Sequence, residues 1–280
     1  RRAKNWRGRR GDQQRAIRHR WQRDWTMQPL ERLRVRENWR KTRIAILLAL
    51  GLALLVTFVV WLMFDPQRTP LISISAPAYE HPFPPLAWSA EDHSVLAALD
   101  GETLDVFEIS RDWQTGRRGL ASLQRQLDEL ATDTARRDAV IVYLTMHGGV
   151  DDGGRACVIP PGASPLRSET WLPVAEILQA VGAADLGDCR KLVVFECARI
   201  EQAWQLGIVY NGFADALASA ISDAGVDDVA VLAGAAPGQV GAVSATYQQS
   251  AFGHFFANGL AGAADRTAAG GNGDGRVTLH

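Results

Sequence analysis

Residues 139–149 read Ala-Val-Ile-Val-Tyr-Leu-Thr-Met-His-Gly-Gly, and residues 191–199 read Lys-Leu-Val-Val-Phe-Glu-Cys-Ala-Arg. In both stretches a short apolar run, rich in β-branched residues, ends at residue types that can carry chemistry. Such runs are typical of strands buried on both faces of a parallel sheet. Because sites in open α/β sheets form where parallel strands end, the two stretches predict a fold class and the position of a site.

The segments around these two runs continue the alternation of strands and helices. Alternating or short apolar runs predict further strands at residues 71–75, 105–109, 156–159 and 229–233. Apolar residues spaced three and four apart predict helices at residues 120–130, 174–181, 213–221 and 251–261. This order predicts an α/β domain whose mostly parallel sheet is covered by helices on both faces.

A separate apolar run precedes the α/β pattern. Residues 44–64 carry no charged side chain. A helix of this length spans the roughly 30 Å hydrocarbon core of a bilayer, whereas helices buried in soluble cores rarely run so long without a charge. The run is too long for the apolar part of a cleaved signal peptide. It predicts one transmembrane helix.

Charge is distributed unevenly on the two sides of this run. Residues 1–43 carry 16 Lys and Arg against 4 Asp and Glu, whereas the rest of the chain carries 14 against 27. The positive-inside rule therefore predicts a single-pass membrane protein with a cytoplasmic N-terminus and an extracytoplasmic C-terminal domain. We expect the basic segment and the helix, residues 1–64, to contact membrane lipid. No pattern of a folded nucleic-acid reader is present in the basic segment, so we expect no nucleic-acid partner.

These features divide the chain into four parts. We expect a basic cytoplasmic segment at 1–43, the transmembrane helix at 44–64, a proline-rich linker with the first strand at 65–85, and a globular domain at 86–280. A pattern that is cut at residue 280 leads us to expect that the domain continues beyond it. Three cysteines, an odd number, argue against a disulfide scaffold.

The two strand ends offer an imidazole and a thiol. His147 and Cys197 are candidates for a catalytic dyad in which the imidazole takes the thiol proton and the thiolate attacks a carbonyl carbon. The backbone N–H of Gly148 is a candidate for stabilising the oxyanion. Cys157 and Cys189 have no such surroundings, and we interpret both as structural.

The order of these segments resembles the caspase and metacaspase clan of cysteine peptidases. The segments that carry the resemblance are LASLQRQLDELA, VIVYLTMHGGVDDGG, ACVIPP, LVVFECAR, VAVLAGAAPGQVG and SAFGHFFANGLAGAAD. The separation of about 50 residues between histidine and cysteine is also a mark of that clan. The resemblance implies a caspase-like three-layer sandwich behind the membrane helix. It implies a membrane-anchored cysteine endopeptidase with a protein or peptide substrate.

The cysteine segment departs from the family pattern, and two registers are open. The caspase signature is Gln-Ala-Cys-Arg-Gly, and here Met146 stands where the family has Gly before its histidine. In one register Cys197 is the nucleophile. In the other, Glu196 and Arg199 align with the signature and Ala198 stands at the nucleophile position, which implies an inactive pseudo-peptidase that binds or signals. By analogy with metacaspases, Glu196 is a candidate for binding a basic substrate residue.

The C-terminal residues resemble part of an EF-hand loop. With Gly275 at the sixth position, Asn272 and Asp274 fall on the third and fifth ligand positions. Gly270 stands where the first ligand, an Asp, is expected. Half a ligand set predicts at most weak calcium binding, so we favour a simple turn and expect no cofactor.

Overall fold

The computed structural model describes residues 39–58, 68–76, 78–79, 82–101, 104–133, 137–200, 209–275 and 277. The basic segment up to residue 38 and the last six residues of the expected membrane span lie outside the described residues. The chain forms two compact units, Arg1–Asp65 and Pro66–His280. The first unit contains one described helix, α1, at Trp39–Phe58.

Helix α1 is long and apolar enough to cross a membrane. It has 20 residues, reaches a mean hydropathy of 1.9, and none of its most apolar window is buried by the rest of the chain. It begins five residues before the apolar run, so Arg40 and Arg43 belong to its first turns. The guanidinium of Arg43 lies 5.5 Å from the ring centre of Trp39.

The second unit is an α/β domain. Its elements are β1 (Thr69–Ser75), α2 (Ser89–Ala97), β2 (Leu104–Glu108), α3 (Gly116–Thr132), β3 (Ala139–Thr145), β4 (His147–Val150), β5 (Ala156–Ile159), β6 (Leu172–Pro173), α4 (Val174–Ala183), β7 (Arg190–Glu196), α5 (Phe213–Ala224), β8 (Val229–Ala233), β9 (Val243–Ser244), β10 (Gln249–Ser250) and α6 (Ala251–Leu260). Five strands form the main sheet in the order β2-β1-β3-β7-β8. All four pairings are parallel. The predicted α/β class with a parallel sheet is confirmed.

Helices cover both faces of this sheet because its central strands are apolar on both sides. One face packs against α3, α4 and α5 and includes Val142, Leu144 and Phe195. The other face packs against α2 and α6 and includes Tyr143 and Val194. Successive residues of β3 and β7 therefore enter different cores, as strand geometry requires.

Two small sheets lie outside the main one. Residues 156–159 form the strand that their pattern predicts, but β5 pairs antiparallel with β4 and β6 rather than joining the parallel sheet. His147 does not stand in a loop after β3. It is the first residue of β4, and it pairs with Ile159. Strands β9 and β10 form a short antiparallel pair immediately before α6.

Candidate functional site

The ends of β3 and β7 place the two predicted catalytic segments side by side. Thr145 pairs with Glu196 in the parallel register, so the residues that follow them in the chain are also neighbours. The backbone N–H of Gly148 donates a hydrogen bond to the carbonyl oxygen of Cys197, with an N···O distance of 2.8 Å. The structure thus brings together the two segments that carry His147 and Cys197.

The thiol of Cys197 lies inside the packed core. The residue is 0% exposed and belongs to the apolar cluster beneath α5. Its sulfur makes a long contact of 3.7 Å with the carbonyl oxygen of Leu144. Burial raises the pKa of this thiol well above its usual range, which keeps the sulfur protonated.

Close packing at Gly148 fixes the position of the cysteine. A methyl group on Gly148 would lie 2.9 Å from Cβ of Cys197 and 2.6 Å from the ring of Phe213. Glycine is needed here because β4 approaches β7 and α5 too closely for any side chain. The Gly148 N–H, the candidate oxyanion donor, is already bonded to Cys197, and the Gly148 carbonyl accepts a hydrogen bond of 3.2 Å from Nδ2 of Asn211.

His147 is enclosed by residues that follow β1. Its Nε2 lies 2.7 Å from the carbonyl oxygen of Pro84. Because a carbonyl only accepts, Nε2 carries the proton and Nδ1 of the neutral ring is an acceptor. Nδ1 is buried and has no hydrogen-bond partner among the described residues. Burial lowers the pKa of His147 from 6.5 to about 4.

Aromatic rings cover the imidazole. The ring of Tyr79 lies 4.2 Å from that of His147, and the ring of Phe83 lies 6.1 Å from it, centre to centre. The Tyr79 hydroxyl accepts from the backbone N–H of His147 at 2.9 Å and donates to the carbonyl of Ile159 at 2.7 Å. In this arrangement the histidine bonds to backbone and packs on rings rather than bonding to the thiol.

On the opposite face of β7, Glu196 belongs to a buried charged cluster. Its Oε2 accepts a hydrogen bond of 2.7 Å from the hydroxyl of Tyr143, and its Oε1 lies 3.5 Å from the guanidinium of Arg199. Arg199 also pairs with Asp92 at 3.4 Å. Burial raises the pKa of both Glu196 and Asp92. The Glu196 carboxylate is therefore paired with an internal cation.

Ala198, between the thiol and the buried arginine, completes this strand end. It is 5% exposed. Its carbonyl oxygen accepts a hydrogen bond of 2.7 Å from the backbone N–H of Gly241. If Cys197 stands at the nucleophile position, the site holds a thiol that is buried in the core. If Ala198 stands there, the site holds a methyl group at the end of the strand.

A second polar network, which no sequence pattern indicates, lies between β1, α2 and β2. The hydroxyl of Ser73 lies 2.8 Å from Nδ1 of His93, and Nε2 of His93 lies 3.2 Å from Glu108. These are the residue types of a hydrolase triad, in which the serine faces Nε2. Here it faces Nδ1, and Ser73 is buried at 1% exposure inside β1. We interpret this network of side chains as a structural link that holds α2 on the sheet.

The C-terminal loop gathers one acidic residue that the EF-hand spacing did not predict. The Asp265 carboxylate accepts hydrogen bonds of 3.0, 3.1 and 2.8 Å from the backbone N–H groups of Gly273, Asp274 and Gly275. Nδ2 of Asn272 donates to Asp274 at 2.8 Å. No group of three or more His, Cys, Asp or Glu side chains in the described ranges is arranged to hold a metal ion. Asp265 stands seven residues before Asn272, outside the EF-hand spacing, so that spacing does not indicate it.

Other cavities and cysteines lie away from the strand ends. A cavity of about 230 Å³ is bordered by Arg137 and Cys189, and another of about 540 Å³ by Arg111 and Arg125. All three cysteines are free thiols. Burial raises the pKa of Cys157 to about 12, in keeping with a structural role.

Comparisons with known proteins add little to this geometry. No family model matches the chain, and no curated protein matches it. Among solved structures, protein GSU0716 from Geobacter sulfurreducens is similar with 13% sequence identity and a TM-score of 0.36. The match covers 51% of this chain and 54% of that one, so the chain spans about half the length of that protein. A likeness at this level carries no argument about activity.

Proposed function

We propose that the chain is a membrane-anchored, caspase-like module that binds a protein or peptide partner without cleaving it. One observation carries the proposal: the Cys197 sulfur is enclosed in the core with a raised pKa, and the residue beside it at the strand end is alanine. Thiolate attack needs an ionised, accessible sulfur. Neither condition is met while the strand holds this register.

The caspase-like architecture is part of the same proposal. It is supported by the parallel order β2-β1-β3-β7-β8, by helices on both faces, and by the adjacent ends of β3 and β7. The order of the matching sequence segments along the chain supports it as well. With Glu196 and Arg199 taken as the signature residues, the Ala198 methyl group stands in place of a thiol.

A cysteine endopeptidase is the second candidate, and one contact favours it. The Gly148 N–H bonds directly to the carbonyl of Cys197, so the segments of His147 and Cys197 are already in contact. A rotation of the strand end would be needed to turn the sulfur out of the core. In that case His147 would act as base and the freed Gly148 N–H as oxyanion donor.

The membrane setting of the module is also proposed. Helix α1 supplies the anchor, and the positive charge before it supports a cytoplasmic N-terminus with the α/β domain on the other side. Residues 1–64 would contact lipid, and the acidic remainder of the chain disfavours nucleic acid as a partner.

Cleavage and thiol reactivity test the two candidates. The full chain in detergent is assayed on fluorogenic peptides that contain Arg, Lys or Asp, beside Cys197→Ala and His147→Ala. It is also treated with an iodoacetamide probe and mapped by mass spectrometry. We expect equal background rates in all three proteins and modification at the partly exposed Cys189 but not at Cys197. Rapid modification of Cys197 together with cleavage that both substitutions abolish would establish the peptidase instead.

Restoring a thiol at the strand end is the matched experiment. Ala198→Cys places sulfur at the position that the second register assigns to the nucleophile, and Cys197→Ala removes the buried one. Because residue 198 is only 5% exposed, we expect its thiol in the Cys197→Ala/Ala198→Cys chain to be modified by the same probe more slowly than that of Cys189 but faster than that of Cys197 in the wild-type chain. If residue 198 stays unmodified while Cys197 of the wild-type chain reacts, the assignment of the vacant position to Ala198 is wrong.

A further inference from the structure

Residues 83–87, Phe-Pro-Pro-Leu-Ala, form a short strap across the ends of β3 and β7. The carbonyl oxygen of Pro84 accepts a hydrogen bond of 2.7 Å from His147. The carbonyl oxygen of Ala87, three residues later, accepts one from the guanidinium of Arg199. The strap is thus held at both ends by side chains that project from two neighbouring strand ends.

Apolar side chains bind the strap with the same spacing of three. Phe83 is 5% exposed and packs with Ile159 and Ile200, and Leu86 is 4% exposed, whereas Pro85 between them is exposed. Three residues per turn is the period of a polyproline II helix, which adjacent prolines favour. Recognition through carbonyl oxygens and every third side chain is how proteins bind short proline-containing peptides.

Both donors on the protein side also have contacts outside the strap. Arg199 is fixed by Asp92 and Glu196, and the backbone of His147 is fixed by the hydroxyl of Tyr79. If the strap left, Arg199 would keep its carboxylate partners but lose the Ala87 carbonyl, and Nε2 of His147 would lose its acceptor. A peptide that offers two carbonyl oxygens three residues apart, each next to an apolar side chain, fits the same contacts.

Two unfavourable features lie beside the bound strap. Trp88, directly after the strap, has a φ of 63°, a left-handed conformation that is unfavourable for a tryptophan. Nδ1 of His147 is buried without a partner in the described part of the chain. Lifting the strap would let water reach Nδ1 of His147.

We propose that residues 83–87 are an intramolecular ligand, and that an extended, proline-containing apolar segment of a partner protein binds the domain by displacing them. The inference rests on the proposed binding function and names its ligand class. Because the partner segment and the strap compete for the same contacts, the stability of the bound strap determines the partner concentration needed for binding. The apparent affinity for the partner is the intrinsic affinity multiplied by the fraction of molecules whose strap is open.

A labelled peptide tests the displacement. The full chain in detergent is titrated with a fluorescent peptide of residues 82–88, Pro-Phe-Pro-Pro-Leu-Ala-Trp, and binding is followed by anisotropy. Leu86→Ala in the chain removes a buried contact of the strap and leaves the donors intact. We expect this variant to bind the peptide roughly tenfold more tightly than the wild-type chain, because a larger fraction is open. Leu166→Ala, which shortens a side chain that is 89% exposed, is the matched control and should bind like wild type.

Two further measurements keep the test decisive. Pro85→Ala loosens the strap without removing a buried side chain, so it gives a smaller rise in affinity should Leu86→Ala fail to fold. Diethyl pyrocarbonate should modify His147 faster in both strap variants than in Leu166→Ala. Unchanged peptide affinity and unchanged His147 modification in folded strap variants overturn the inference. The peptide is recovered after the binding measurement. If it binds and is cut, the proposed non-cleaving function is wrong but the displacement of the strap is supported. If it stays intact and does not bind, the displacement of the strap is wrong but the non-cleaving function is not contradicted.

Discussion

The imidazole of His147 is neutral in the folded domain because it is buried, and this makes folding stability depend on pH. Its pKa is lowered from 6.5 to about 4. Between these values the unfolded chain binds a proton that the folded domain does not, so stability is lost as the pH falls from 6.5 towards 4. The difference corresponds to roughly 3 kcal/mol of the free energy of unfolding.

His147→Gln isolates this contribution because glutamine can still donate to Pro84 but does not titrate. We expect denaturant unfolding of the wild-type chain to lose roughly 2–3 kcal/mol more than the variant between pH 7 and pH 4.5. Asp92 and Glu196, whose pKa values are raised, favour the folded state at acid pH in both proteins and cancel in the comparison. An identical pH dependence in the two proteins would show that the ring is already solvated.

Ser73 and His93 form the second residue pair whose energetics can be measured. His93→Ala leaves the buried Ser73 hydroxyl without its partner, so we expect a loss of roughly 1–3 kcal/mol. Once Ser73 is alanine, the same His93→Ala change should cost less, since no hydroxyl is then left unpaired. A double-mutant cycle by urea unfolding measures the difference. Strict additivity would mean that the serine finds water instead.

At the scale of single elements, helix α6 begins at a capping residue. Ser250 is fully buried, and its side chain accepts a hydrogen bond of 2.8 Å from the backbone N–H of Gly253. We expect Ser250→Ala to reduce the free energy of unfolding by about 1 kcal/mol. Ser222→Ala, an exposed change inside α5, should stay within about 0.5 kcal/mol and serves as the control. Equal stability of the two variants in thermal melts would show that the Ser250 side chain does not stabilise α6 as a cap.

The elements also show which structural signals the sequence carries. Strand β8 has the bounds that its apolar run predicts, and α3 contains the predicted residues 120–130. Helix α2 was missed because its buried face includes Ser89 and Asp92, so hydropathy shows no helical period there. Strand β4 was missed because His-Gly-Gly-Val has little strand propensity and is held in place by pairing with β5.

The candidate site was predictable as a location but not as an arrangement. The adjacency of the segments of His147 and Cys197 follows from parallel strands that end together. The partner of His147 is a backbone carbonyl of Pro84, and a carbonyl leaves no signature in the residue type. Strand alternation places Cys197 on the same face as Phe195, but the register could be fixed only with the positions of Gly148 and Phe213.

At the scale of the whole molecule, α1 is long and apolar enough to cross a membrane, and the proposed anchoring of the α/β domain can be tested through it. We expect the wild-type chain to stay with membranes after alkaline extraction, because α1 is long and apolar enough to span a bilayer. Leu48→Arg combined with Leu52→Arg should release it, since each arginine at the middle of a membrane helix costs roughly 2.5–3.5 kcal/mol. Leu166→Arg, the same change at an exposed position of the other unit, should leave the chain in the membrane fraction.

The side of the membrane on which the domain lies is a separate question, and Cys189 can answer it. Cys189 is the one partly exposed thiol of the three, because Cys157 and Cys197 are buried. An impermeant maleimide added to intact cells should label Cys189 if the domain is extracytoplasmic, and Cys189→Ser should abolish the signal. Labelling only after the cells are permeabilised would reverse the orientation and place the basic segment outside. The buried Cys197 would then be in a reducing compartment, where a free thiol is the normal state.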